Sequence, residues 1–330
     1  MVRTRLLAAV SLVALLAGCG NSKAPSPTEP PRTWSVARIR APIPGRPGER
    51  NHADRVGGLA EVGDELVLVG QDRLDHWFVL ARNELADGSG FVARRIEPTF
   101  NDSAWVGGRG PLAARAVSIG AMKDLPTEVV GLGVWPDGRF ALLDRRQRIL
   151  WSGRLLAGPG GRISAITFDR GSVLPGGDHS GLDEADPRDR GPGVRALAVL
   201  PEPREGVDIA VLEASAKPDT PWRVHRLDRT GATVKRPLDV PSTTSSPLQT
   251  LAWTSQGFVA IESGHLRRLV QDGDRLVPGE AHELPPVKYL SPWSALTQGV
   301  TGTTYVGSEF RGAAVVSELD DNRTIRLAWR

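Results

Sequence analysis

Cysteine occurs once in 330 residues, at Cys19, so no intramolecular disulfide can form. Also missing are the spacings that announce common chemistry. There is no Gly-x-Ser-x-Gly elbow, and the six histidines (His52, His76, His179, His225, His265, His282) contain no His-x-x-x-His pair. No stretch after the first eighteen residues approaches the roughly 20 apolar residues of a membrane-spanning helix. Helical periodicity is nearly absent. The charge is close to balanced, with 41 basic and 38 acidic residues of interspersed sign, and no basic run interleaves with aromatics, which argues against a nucleic-acid partner.

What is present begins with an address. Arg3 and Arg5 precede an apolar run over residues 6–16, then small residues, which is the order of a secretory signal peptide. The quartet Leu16-Ala17-Gly18-Cys19 resembles the lipobox of bacterial lipoproteins. That resemblance implies cleavage after residue 18, acylation of Cys19 and residence on the extracytoplasmic face of a cell membrane. Acylation of that residue would exclude cysteine-ligated zinc or iron-sulfur centres and a cysteine nucleophile. Cleavage would lower the net charge from +3 to +1 by removing Arg3 and Arg5. Residues 19–33, rich in Pro and Ser, read as a tether whose Pro-rich part spans about 3.1 Å per residue. The expected organisation is a signal peptide over 1–18, the tether over 19–33 and a folded domain over 34–330.

Short apolar runs bounded by Gly, Pro and Asp recur through that domain at antiparallel-strand spacing, which predicts an all-β fold. A weak repeat sharpens this. Leu59, Leu132, Leu197, Leu251 and Leu296 each open a unit of the form anchoring Leu, usually a small residue, turn, apolar strand, turn, strand. A further strand often follows, as in GFVARRIEP, RISAITFD, ATVKRPLDV and TIRLAWR. Units of three or four strands that cannot bury both faces alone predict a β-propeller of five or six blades; the alternative is a β-sandwich. A sixth blade would be built around AARAVSIGAM, and TWSVARIRA near residue 34 would close the ring against the last blade.

Propeller ligands bind where the loops entering the inner strands converge. Residues shortly before the anchors are therefore the candidate channel-mouth set: His52, Asp54, Arg55, Arg195, Gln249 and Trp293. The stretch 169–190 places six carboxylates in one long loop, and calcium is the cofactor such oxygen donors suggest. Asp178, His179 and Asp183 are its candidate ligands, although Arg170, Arg188 and Arg190 offset the charge and the order matches no known calcium loop. Of nine tryptophans, Trp77, Trp135, Trp151, Trp222, Trp253 and Trp329 fall in or beside predicted strands and are expected to pack between blades, with Trp105 and Trp293 in loops. The leading expectation is a tethered propeller that binds an envelope protein, peptide or glycan; the alternative is an envelope hydrolase or lyase with paired acids at the mouth.

Overall fold

The computed structural model describes strands and turns between residues 35 and 319; 1–34, 39–54, 64, 72–74, 83–90, 97, 108–127, 146–147, 175–192, 216–219, 241–247, 255–256, 285–294, 299–303, 310–313 and 320–330 lie outside the described residues. Within it the folded unit is built almost wholly of β-strands. The first strand, β1 (Ser35–Arg38), belongs to the last blade. Blade 1 follows with β2 (Arg55–Val62), β3 (Glu65–Gln71), β4 (Asp75–Arg82) and β5 (Phe91–Ile96). After β6 (Thr99–Gly107), blade 2 is β7 (Val129–Val134), β8 (Arg139–Asp144), β9 (Ile149–Ala157) and β10 (Ile163–Val173). Blade 3 is β11 (Val194–Arg204), β12 (Val207–Glu213), β13 (Trp222–Leu227) and β14 (Thr233–Val240). Blade 4 is β15 (Leu248–Thr254), β16 (Gly257–Glu262), β17 (His265–Asp272) and β18 (Arg275–Glu283). Blade 5 is β19 (Ala295–Gln298), β20 (Thr304–Glu309) and β21 (Ala314–Leu319), completed on its outer edge by β1.

Each blade is an antiparallel meander, and the inner strands β2, β7, β11, β15 and β19 touch in succession until β19 meets β2. The ring is therefore a closed five-bladed propeller. The anchoring leucines all lie on inner strands and are buried. Their faces can be read from the glycines opposite: a Cβ on Gly58 would stand 2.6 Å from the Leu132 Cβ, and one on Gly131 would stand 2.5 Å from the Leu197 Cβ. Each of these leucines packs against the inner strand of the preceding blade. The residue before the anchor is small in every blade (Gly58, Gly131, Ala196, Thr250, Ala295) because that is where the next blade arrives. At the closing interface Gly307 does the same work, its missing Cβ leaving room for Val56 of blade 1.

The core consequently lies between blades rather than within them. Trp151, Phe140 and Phe168 fill the interface of blades 1 and 2, Trp135 that of blades 2 and 3, and Trp222 that of blades 3 and 4. Trp253 packs half-buried against the last of these. Phe140 and Trp151 both meet Phe168 edge to face, at 5.3 and 5.8 Å between centroids. Blades 1 and 2 are also stapled by a polar contact, in which the buried Glu65 carboxylate accepts the Ile163 N–H at 2.7 Å.

Some expectations are corrected. The long interval between the first two anchors holds β6, which adds to the rim of blade 2 by parallel pairing with β10. Direct contact of Gly58 with Leu132 leaves no room for a sixth blade; AARAVSIGAM lies outside the described residues, as do TIRLAWR and Trp329. Trp105 is in β6, not a loop. Asp169 is not in the acidic loop either, since β10 continues to Val173.

Candidate functional site

All five inner strands run in the same sense around the ring, so one end collects their starts and forms the channel mouth. A β-bulge recurs there. Pairing of the first two strands slips between Val56 and Gly58 in blade 1, Val129 and Gly131 in blade 2, Val194 and Ala196 in blade 3, and Leu248 and Thr250 in blade 4. The bulged residues are Gly57, Val130, Arg195 and Gln249, each two positions before its anchoring Leu. A bulge places two residues opposite one and re-aims the side chain it carries. Two of the candidate mouth residues, Arg195 and Gln249, thus occupy equivalent bulges on adjacent blades. Both are part-buried. The Arg195 guanidinium lies 6.0 Å from the centroid of the Trp222 ring, and the Gln249 Oε1 is buried with no hydrogen-bond partner among the described residues.

Arg55 starts β2, at the same end. His52, Asp54 and Trp293 lie outside the described residues, as do Asp178, His179 and Asp183. The described residues that flank 175–192 lie at the mouth, Leu174 N–H donating to the Arg148 carbonyl at 2.9 Å and Ala214 N–H donating to the Gly193 carbonyl at 3.0 Å.

A second regularity was not anticipated. The last residue of the second strand, paired with the residue before the bulge, is a carboxylate in three consecutive blades: Asp144 opposite Val129, Glu213 opposite Val194, and Glu262 opposite Leu248. Asp144 is fully buried. Glu262 accepts from Arg267 Nε at 2.6 Å. Glu213 is bound on both oxygens, Oε1 by the Arg148 guanidinium at 2.6 Å and Oε2 by the His225 Nε2 at 2.5 Å. Arg148 belongs to the β8–β9 turn of the neighbouring blade and sits at φ 53°, the left-handed region that a non-glycine residue enters at a cost of about 1 kcal/mol. Its ion pair crosses the interface of blades 2 and 3.

Burial pushes the Glu213 carboxyl up, but the hydrogen bonds from His225 and Arg148 and the charge of Arg148 outweigh it. The pKa falls from 4.5 to about 2. His225 is therefore not the free surface residue its isolated place in the sequence suggests, and neither Glu213 nor Arg148 stands out in the sequence at all. Their partners lie 12 and 65 residues away in the chain. Among the described residues no three His, Cys, Asp or Glu side chains are grouped to hold a metal ion, and no helix is long and apolar enough to cross a membrane.

No family model and no curated protein sequence matches the chain. Solved structures do resemble it. The PQQ-bound aldose sugar dehydrogenase of Streptomyces coelicolor is 12% identical, with a TM-score of 0.41 over 88% of this chain and 99% of that one. The glutaminyl cyclase of Myxococcus xanthus is 10% identical, with a TM-score of 0.43 over 88% and 98%. The calcium-binding protein regucalcin of Agrobacterium tumefaciens is 13% identical, with a TM-score of 0.37 over 82% and 78%. The propeller assignment rests on the closed ring of inner strands, and no ligand or reaction passes from those proteins to this chain.

Proposed function

We propose that the chain is a lipid-anchored, extracytoplasmic propeller that binds an envelope protein, peptide or glycan at the mouth where the inner strands begin. The observation that supports this most is the bulge repeated in four blades, which puts Arg195 and Gln249 at the mouth on adjacent blades. Bulges cluster where a fold re-aims side chains toward a ligand. The carboxylates behind them favour binding over acid-base chemistry. Glu213 stays ionised throughout the physiological pH range and spends one oxygen on Arg148 and the other on His225, so it has no proton to donate, and Glu262 is tied to Arg267.

The mouth is tested by a photo-crosslinking residue at position 249, with one at Asp274 in the turn between β17 and β18, at the other end of the strands, as control. Illumination of whole cells should give an adduct to an envelope component from position 249 and none from position 274. Equal labelling from both, or none from 249, overturns the mouth reading. Elemental analysis of the purified chain bears on the alternative: stoichiometric calcium would redirect the search toward a hydrolase or lyase at the same mouth.

The anchor rests on the lipobox resemblance and needs its own experiment. Cells fed radiolabelled palmitate should incorporate label into the native chain, and Cys19→Ala should abolish both the label and partitioning into a detergent phase. An unlabelled native chain, or a labelled Cys19→Ala chain, contradicts it.

A further inference from the structure

A cleft of about 180 Å³ opens between blades 2 and 3, lined by Trp135, Arg139, Ser152, Arg154, Asp169 and Arg229 among others. Its chemistry is set by an unfavourable pairing. Arg139 on β8 and Arg154 on β9 stand directly opposite each other in register. Directly opposed cross-strand residues have Cβ atoms about 5 Å apart, and like charges there are destabilising. The acids nearby do not cancel this by hydrogen bonding. Arg139 comes within 3.8 Å of Asp137 and Arg154 within 3.7 Å of Asp169, both beyond hydrogen-bond range, with 51% and 56% of the two arginine side chains exposed. Two guanidinium forks, each ion-paired with an acid but not hydrogen-bonded to its carboxylate, therefore meet the cleft.

Arg229 is different. It donates to Asp208 at 2.9 Å and to Asp137 at 2.8 Å, and its guanidinium lies 4.9 Å from the Trp135 ring centroid, so it is a fixed wall rather than a free donor. Asp169 is the bulged residue of β10, where pairing slips between Phe168 and Arg170. Counting Asp137, Asp169 and Asp208 against the three arginines, the surroundings are neutral in sum. A monoanion can settle between Arg139 and Arg154, whereas a dianion would meet Asp169. Asp169 and the Ser152 hydroxyl, for their part, can take hydrogen bonds from ligand hydroxyls.

We propose that this cleft binds a hydroxylated monocarboxylate of sugar-acid type, its carboxylate held between Arg139 and Arg154 and its hydroxyls on Asp169 and Ser152. The site is separate from the mouth and does not depend on the reading given for it. Carboxylate is the ion that planar guanidinium forks match in geometry.

The test is calorimetric titration of the full chain, solubilised in detergent, with sodium glucuronate, with glucose as the uncharged control and glucose 6-phosphate as the dianion. Glucuronate should bind saturably, and both controls at least about tenfold more weakly. Arg154→Gln should weaken glucuronate by a similar factor. The same variant should melt at a higher temperature than the native chain without ligand, since the opposed pair is gone, and at equal glucuronate concentration should show a smaller ligand-induced rise in melting temperature. Absence of saturable glucuronate binding, equal affinity for glucose, or an Arg154→Gln chain that binds as the native one does would each overturn the proposal.

Discussion

Gly131→Ala is expected to destabilise the propeller by about 3 kcal/mol, the upper end of the usual overpacking cost, and to do so without touching any functional side chain. The added methyl would sit 2.5 Å from the Leu197 Cβ and 2.8 Å from the Leu197 backbone nitrogen. Neither is the end of a flexible side chain that could swing away. Gly131 does not adopt a left-handed φ, so the penalty is steric and comes from the approach of blade 3. In an open stack of sheets blade 3 could back off by a few tenths of an ångström. In a closed ring of five, widening one interface narrows or shears the others, including the one where Val56 already occupies the space a Cβ on Gly307 would need. Gly206→Ala provides the comparison. Gly206 lies in the β11–β12 turn at φ 81° with open space around it, so alanine there pays only backbone strain of about 1 kcal/mol. Urea unfolding of the two variants should separate these costs clearly. Equal losses would mean that the ring has slack and that the inner-strand glycines are not set by blade approach.

That pattern of small residues is also why so much of the fold can be read from the sequence. An inner strand must present a bulky residue to the preceding blade and a near-void to the next, and Leu59, Leu132, Leu197, Leu251 and Leu296 with their small neighbours record that demand locally. Closure by β1 is legible for a similar reason, since TWSVARIRA alternates as a strand and has no nearer partner. β6 is not legible as an addition to blade 2, because its partner β10 lies more than sixty residues on and parallel rim pairing leaves no local mark. The mouth divides the same way. Its position follows from the anchors, so Arg195 and Gln249 could be picked out, but the bulges that aim them involve ordinary residue types, and register is a property of two strands together. The Arg148–Glu213–His225 cluster joins a turn of one blade to two strands of the next, and only folding brings those residues within reach.

Glu213→Gln is the second change expected to cost heavily, about 2 kcal/mol at neutral pH, and its pH dependence distinguishes an ionic cause from a packing one. The amide keeps the shape of the carboxyl and one acceptor oxygen, but it leaves the Arg148 guanidinium, 16% exposed, without its counter-charge. Because the folded pKa of Glu213 is depressed, the stability it contributes is fully present above its unfolded value of 4.5 and is lost as pH falls toward about 2. After allowance for partial solvent screening, that contribution is again about 2 kcal/mol. Urea unfolding at pH 7 should therefore show the full gap between native and variant chains, and at pH 2.5 most of the gap should have closed. A double-mutant cycle with Arg148→Met should locate the coupling in the pair that bridges blades 2 and 3. If the gap stays constant from pH 7 to 2.5, the carboxylate is not acting as an ion and Glu213 is held by shape alone. If the gap closes but the cycle shows no coupling to Arg148, the partner that matters is His225 within blade 3, and the interface between blades 2 and 3 owes its stability to the apolar packing of Trp135, Leu143, Leu197 and Val211.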